Sequence, residues 1–66
     1  MFLTINGRPK EVDPVQTVAG LLTLLGVDRQ QVVVELNEKV IRRNQVADTP
    51  IQENDFVEIL RFVGGG

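Results

Sequence analysis

Residues 17–26 read TVAGLLTLLG, and the period of the apolar residues in this stretch decides how the rest of the chain is arranged. Val18, Leu21, Leu22 and Leu25 fall at i, i+3, i+4 and i+7, which sets four aliphatic side chains on one face of a helix. Thr17 precedes them with the hydroxyl of an N-cap, and Gly26 follows with the backbone freedom of a C′ residue. Both ends of the helix are therefore marked. Gly20 is the one irregularity, costing about 1 kcal/mol relative to alanine inside a helix, and it points to close backbone packing or a frayed first turn.

Upstream the period is two. In FLTI, residues 2–5, Leu3 and Ile5 face one side of a strand and Phe2 and Thr4 the other. Asn6-Gly7 is a strong two-residue hairpin signal, so a second strand runs antiparallel through about Arg8 to Val12. Pro9 cannot donate to a ladder, which makes that strand an edge or delays its start, and Asp13-Pro14 ends it. Downstream, VVVEL (32–36) is a strand with Val34 and Leu36 inward and Val33 and Glu35 outward. Asn37-Glu38-Lys39 reads as a turn and Val40-Ile41 as a short strand ending near Arg42-Arg43. An irregular polar connection then leads to Pro50, Glu53-Asn54-Asp55 turns the chain, and the longest strand runs from Phe56 to Val63.

The order is ββαβ(β)β. One helix with one apolar face must lie across one side of a mixed sheet of four to five strands, since so short a chain has no other way to bury both surfaces. The expected class is α+β with a β-grasp layout: a domain over residues 1–63, followed by a flexible glycine tail over 64–66. The expected core is Val18, Leu21, Leu22 and Leu25 against Leu3, Ile5, Val34, Leu36, Val57 and Ile59.

Composition narrows the function. Sixty-six residues make one domain, and 42% hydrophobic with 24% charged residues is a folding composition with an aliphatic core, since three phenylalanines are its only aromatics. The chain has no cysteine and no histidine, so it carries no thiol nucleophile, no disulfide framework, no cysteine-ligated metal and none of the commonest general base. No metal site is expected, and a self-contained enzyme is improbable. A net charge of −2 and a pI near 4.9 give no footprint for nucleic acid. No signal-like or membrane-length apolar run is present, so a cytoplasmic protein, monomeric when free, is expected, with no membrane contact.

The sequence ends FVGGG (62–66), with Gly64, Gly65 and Gly66 last. A glycine run at this place is a taskless flexible tail, a remnant of expression, or a thin arm carrying a working carboxylate. The segments LTINGRP, VVVELNEKVIRRNQ and NDFVEILRFVGGG, together with the small size, resemble the ThiS family along the whole chain. That family comprises the ubiquitin-like sulfur carriers of thiamine thiazole biosynthesis. The small subunit of molybdopterin synthase is similar in fold and ending, though those chains are usually longer.

The resemblance implies a chemistry for the tail. The Gly66 carboxylate would be adenylated by an E1-like partner using ATP and magnesium. A sulfur-donating enzyme would then convert it to a thiocarboxylate, which passes sulfur to thiazole synthase. A carboxylate is a poor electrophile until it is activated, and the thiocarboxylate supplies a nucleophile that a chain without cysteine lacks. This chain would bind no cofactor and act as co-substrate. Gly65 and Gly66 would be glycine to thread a narrow channel, and Gly64 a spacer or a source of reach. Alternation in the last strand sets Glu58, Leu60 and Phe62 on the sheet face away from the helix, grouped with Val33. These four form the expected partner-binding patch at the root of the arm, with incidental surface as the competing reading, and Arg42 and Arg43 are either its rim or, as is more frequent, a solvated basic pair. Two other functions remain open: a ubiquitin-like modifier that forms isopeptide bonds, and a β-grasp interaction or regulatory module that binds reversibly.

Overall fold

In the computed structural model, which describes residues 1–62, strands β1 (Phe2–Ile5) and β2 (Arg8–Glu11) are joined by Asn6 and Gly7 at φ of 51° and 81°. Two consecutive positive φ values are the signature of the primed turn whose twist matches the hairpin. β2 lies at the sheet edge with Pro9 opposite Thr4, the position in which a missing N–H does least harm. Asn6 has a second task. Its side chain accepts from the Ile59 N–H at 2.7 Å and donates to the Ile59 carbonyl at 3.3 Å, so a carboxamide takes the place that one more residue of β1 would have filled.

Helix α1 (Val18–Leu24) carries both expected caps. The Thr17 hydroxyl accepts from the Gly20 N–H at 3.1 Å. At the other end the Gly26 N–H bonds to the Thr23 carbonyl and the Val27 N–H to the Leu22 carbonyl, with Gly26 at φ 71°, which is a full Schellman closure. Neither reading of Gly20 holds. An added Cβ would sit 3.5 Å from Thr17 Oγ1 and 3.7 Å from Val15 Cβ, which is ordinary contact, and the first turn is capped. Gly20→Ala is therefore expected to stabilise the domain by about 0.5–1 kcal/mol, measured as a rise in the urea midpoint at constant m.

Three further strands complete the sheet: β3 (Val32–Leu36), β4 (Lys39–Ile41) and β5 (Phe56–Arg61), in the order β2-β1-β5-β3-β4. β1 and β5 are parallel and every other pair is antiparallel. Asn37 and Glu38 alone make the β3–β4 turn, at φ 50° and 71°, and Lys39, expected in the turn, is instead paired with Leu36. Asn37 has a partner that holds it in this backbone region: its side chain accepts from the Phe56 N–H at 3.0 Å and donates to Asp55 Oδ1 at 3.1 Å. The last strand ends at Arg61, short of the expected Val63, which lies outside the described residues, as do Gly64, Gly65 and Gly66.

The helix crosses one sheet face over a core of Leu3, Val18, Leu21, Leu22, Val32, Val34, Val46, Ile51 and Val57. Ile5, Leu25, Leu36 and Ile59, expected within it, are partly buried at its margin. Val32, Val46 and Ile51 were not expected there. Val46 changes the reading of the connection after β4, which is more than a polar loop. A 3-10 turn (Arg43–Gln45) drops Val46 into the core while Asn44, Gln45 and Asp48 stay exposed. The same segment returns to the helix start, where the Thr49 carbonyl accepts from the Val18 N–H at 2.9 Å and the Val46 carbonyl from the Ala19 N–H at 2.8 Å. With Thr17 serving Gly20, three of the N–H groups that a helix start leaves unpaired have partners, which compensates for a helix of only seven residues.

Candidate functional site

The helix covers one side of the sheet, and the ladder registers determine what is left on the other. Directly paired residues in a sheet share a face. Val33 lies opposite Leu60 and Glu35 opposite Glu58 across β3 and β5, and Glu35 is also paired with Val40 on β4. Phe62 continues the alternation past the end of β5, its N–H directed at the Gln31 carbonyl at 3.3 Å. The four residues expected to bind a partner, Val33, Glu58, Leu60 and Phe62, are thus together on the outer face and all exposed, with Val33 at 38%, Leu60 at 49% and Phe62 at 43%. Arg42 stays at the β4 end of the sheet, where its N–H bonds to Gln45 Oε1 at 3.1 Å and caps the 3-10 turn.

The outer face carries more apolar surface than the expected patch. Phe2 on β1 and Phe56 at the start of β5 are exposed at 51% and 61%, and Val40 is exposed at 61%. Phe2 and Phe56 share, with Pro9 and Asn54, the walls of a shallow hollow of ≈ 310 Å³. Phe56 and Leu60 are four residues apart on one strand, hence about 13 Å. The face therefore has two apolar ends, Val33 with Leu60 nearer the chain end and Phe2 with Phe56 away from it, and the Glu35–Glu58 pair between them. Alternation held the signal for Phe2 and Phe56. What it lacked was the parallel register of Thr4 with Phe56 that brings the two rings to one end of the sheet.

Among the described residues no group of three or more acidic side chains is placed to hold a metal ion, and no helix is long and apolar enough to cross a membrane. What this surface presents is exposed apolar area on the outer sheet face, reaching Phe62, two residues before Gly64 in the sequence.

Comparison with known proteins agrees with this geometry. The crystal structure of a thiamine biosynthesis protein, ThiS, from Geobacter metallireducens superposes with a TM-score of 0.84 at 42% identity over the whole of both chains. The sulfur carrier protein ThiS of Thermus thermophilus is 32% identical over 62 residues, covering 94% of this chain and 95% of that protein. A thiazole synthase of Paramagnetospirillum magneticum is 38% identical over 66 residues, and the chain spans only 20% of that relative's length. The profile of the ThiS family matches residues 3–66, and with it the chain belongs to the ThiS family.

Proposed function

We propose that the chain is a sulfur carrier for thiamine thiazole formation, a co-substrate that is modified and discharged by partner enzymes. The observation that carries this reading is its likeness, over nearly full length on both sides, to chains named as sulfur carriers. The uncovered apolar sheet face leading toward the glycines supports it. An oxygen of the Gly66 carboxylate attacks the α-phosphorus of ATP on an adenylating enzyme and pyrophosphate leaves. A hydrosulfide equivalent from a sulfur-donating enzyme then attacks the acyl carbon and AMP leaves, so that C–S replaces C–O and the terminus becomes a thiocarboxylate. ATP and its magnesium are held by the activating enzyme. Thiazole synthase is the proposed acceptor, a choice supported by the thiazole synthases in which one stretch resembles this chain.

The test is to incubate the protein with its adenylating enzyme, ATP, magnesium and a sulfur donor, and to weigh it intact. A gain equal to the mass of sulfur less that of oxygen, reversed on turnover with thiazole synthase, is the expected result. An unchanged mass overturns the reading.

Docking is tested separately. Leu60→Ala and Phe62→Ala are each expected to weaken binding to the adenylating enzyme by about 1–3 kcal/mol, because a truncated anchor leaves its pocket in the partner unfilled. Both side chains are exposed in the free protein, so the melting temperature should barely move. Calorimetric titration of the double variant with wild-type affinity would make this end of the face bystander surface.

A further inference from the structure

Charge on the five strands is sorted by face. The strand acids are Glu11, Glu35 and Glu58, and the registers pair them with Phe2, with each other and with Val40, all on the outer side. The strand bases are Arg8, Lys10, Lys39 and Arg61, and they pair with Ile5, Leu3, Leu36 and Val32, all on the helix side. The outer face is therefore apolar and acidic with no strand-borne cation.

Glu35 and Glu58 are directly opposed at its middle. The Asn37 N–H bonds to the Phe56 carbonyl and the Phe62 N–H to the Gln31 carbonyl, which fixes the ladder's phase and makes Glu35–Glu58, like Val33–Leu60, one of the pairs joined by backbone bonds. Like charges directly opposite destabilise a sheet. Along the strands and across them the pair is bordered by Val33, Leu60, Phe56 and Val40, so its position is built into an apolar surface. By that rule the Glu35–Glu58 register opposes the stability of the free protein.

We propose that the Glu35–Glu58 pair selects what covers this face, accepting a protein partner that brings an arginine or lysine between two apolar contacts and rejecting a second copy of the chain. A two-fold contact between copies is isologous, so centring it on this face would bring four carboxylates together and leave them without water. A partner's guanidinium placed between the two carboxylates removes their repulsion and allows the flanking apolar ends to close. The proposal rests on the carrier reading for its choice of partner, the adenylating enzyme.

The experiment compares wild type with Glu35→Gln, Glu58→Gln and the double variant, and with Asp13→Asn, an exposed loop residue, as a control for net charge. Each is melted alone, sized by sedimentation, and titrated into the adenylating enzyme at low and high salt. Either glutamine is expected to raise the melting temperature by a few degrees, to weaken binding at least about tenfold at low salt, and to flatten its salt dependence. The double variant is also expected to begin to dimerise, and Asp13→Asn to behave as wild type. Unchanged affinity in the double variant overturns the proposal, whether or not it dimerises, as does a melting temperature that falls. Failure of the carrier reading looks different, since it appears as wild-type binding with no adenylate formed.

Discussion

Deletion of Gly66 is expected to leave the domain folded and able to dock, and to cut acyl-adenylate formation by at least about a hundredfold. The proposed chemistry resides in one carboxylate. Removing one residue draws it back by about 3.3–3.6 Å along an extended chain, whereas misplacement by about 1 Å is already enough for a loss of that size when a reaction depends on positioning. Adding one alanine after Gly66 is expected to fail in the same assay for the opposite reason. In the proposed chemistry it would carry the carboxylate past the site and bring a Cβ where the arm has only glycine. The measurement is ATP–pyrophosphate exchange at matched concentrations of carrier and adenylating enzyme. Because the deletion removes nothing from Val33, Leu60 or Phe62, affinity measured alongside should be that of wild type, and undiminished exchange by both variants would return the glycines to the status of a tail.

Leu21→Ala is expected to destabilise the fold by about 2–5 kcal/mol, through lost transfer energy and the cavity left behind. Leu21 is fully buried, on the face of α1 that meets the sheet. At about 0.05–0.15 kcal/mol per residue, a domain of this length has about 3–10 kcal/mol in all, so the substitution threatens a large part of it. Leu24, on the same helix but 42% exposed, is the control, and Leu24→Ala should shift the urea midpoint little. Equal effects at the two positions would mean that the helix does not present the face assigned to it.

The elements that could be read from the sequence are those whose signal is periodic or local. The spacing of Val18, Leu21, Leu22 and Leu25, the Thr17 and Gly26 caps and the Asn6-Gly7 turn each follow from a few neighbouring residues, and from them the β-grasp arrangement follows by elimination. Val46 and Ile51 escaped because a single apolar residue in a polar segment has no period; it is buried by the path of the backbone around the helix start. The Asn37-Glu38 turn was placed one residue too wide because a glutamate at positive φ gives no signal in its type, and what holds it there are the bonds from Asn37 to Asp55 and Phe56, eighteen and nineteen residues away. On the outer face, alternation along the last strand and the residue after it was enough to place Leu60 and Phe62. The opposed glutamates and the Phe2–Phe56 end required pairing between strands remote in sequence.

The Asn6 carboxamide also marks the point at which the sheet holds its last strand from one side only. Up to Ile59, β5 has β1, then the Asn6 side chain, on one flank and β3 on the other. The ladder's phase turns the N–H of Arg61 toward the flank where β1 has already ended, while the N–H of Phe62 turns back to β3. In deuterated solvent these amides should therefore fall into two classes, Ile59 among the slowest to exchange and Arg61, two residues on, among the fast. A strand so divided can offer its far half to an incoming strand without any loss of the near half, so that a partner engaging the chain's end need not disturb the fold that presents it.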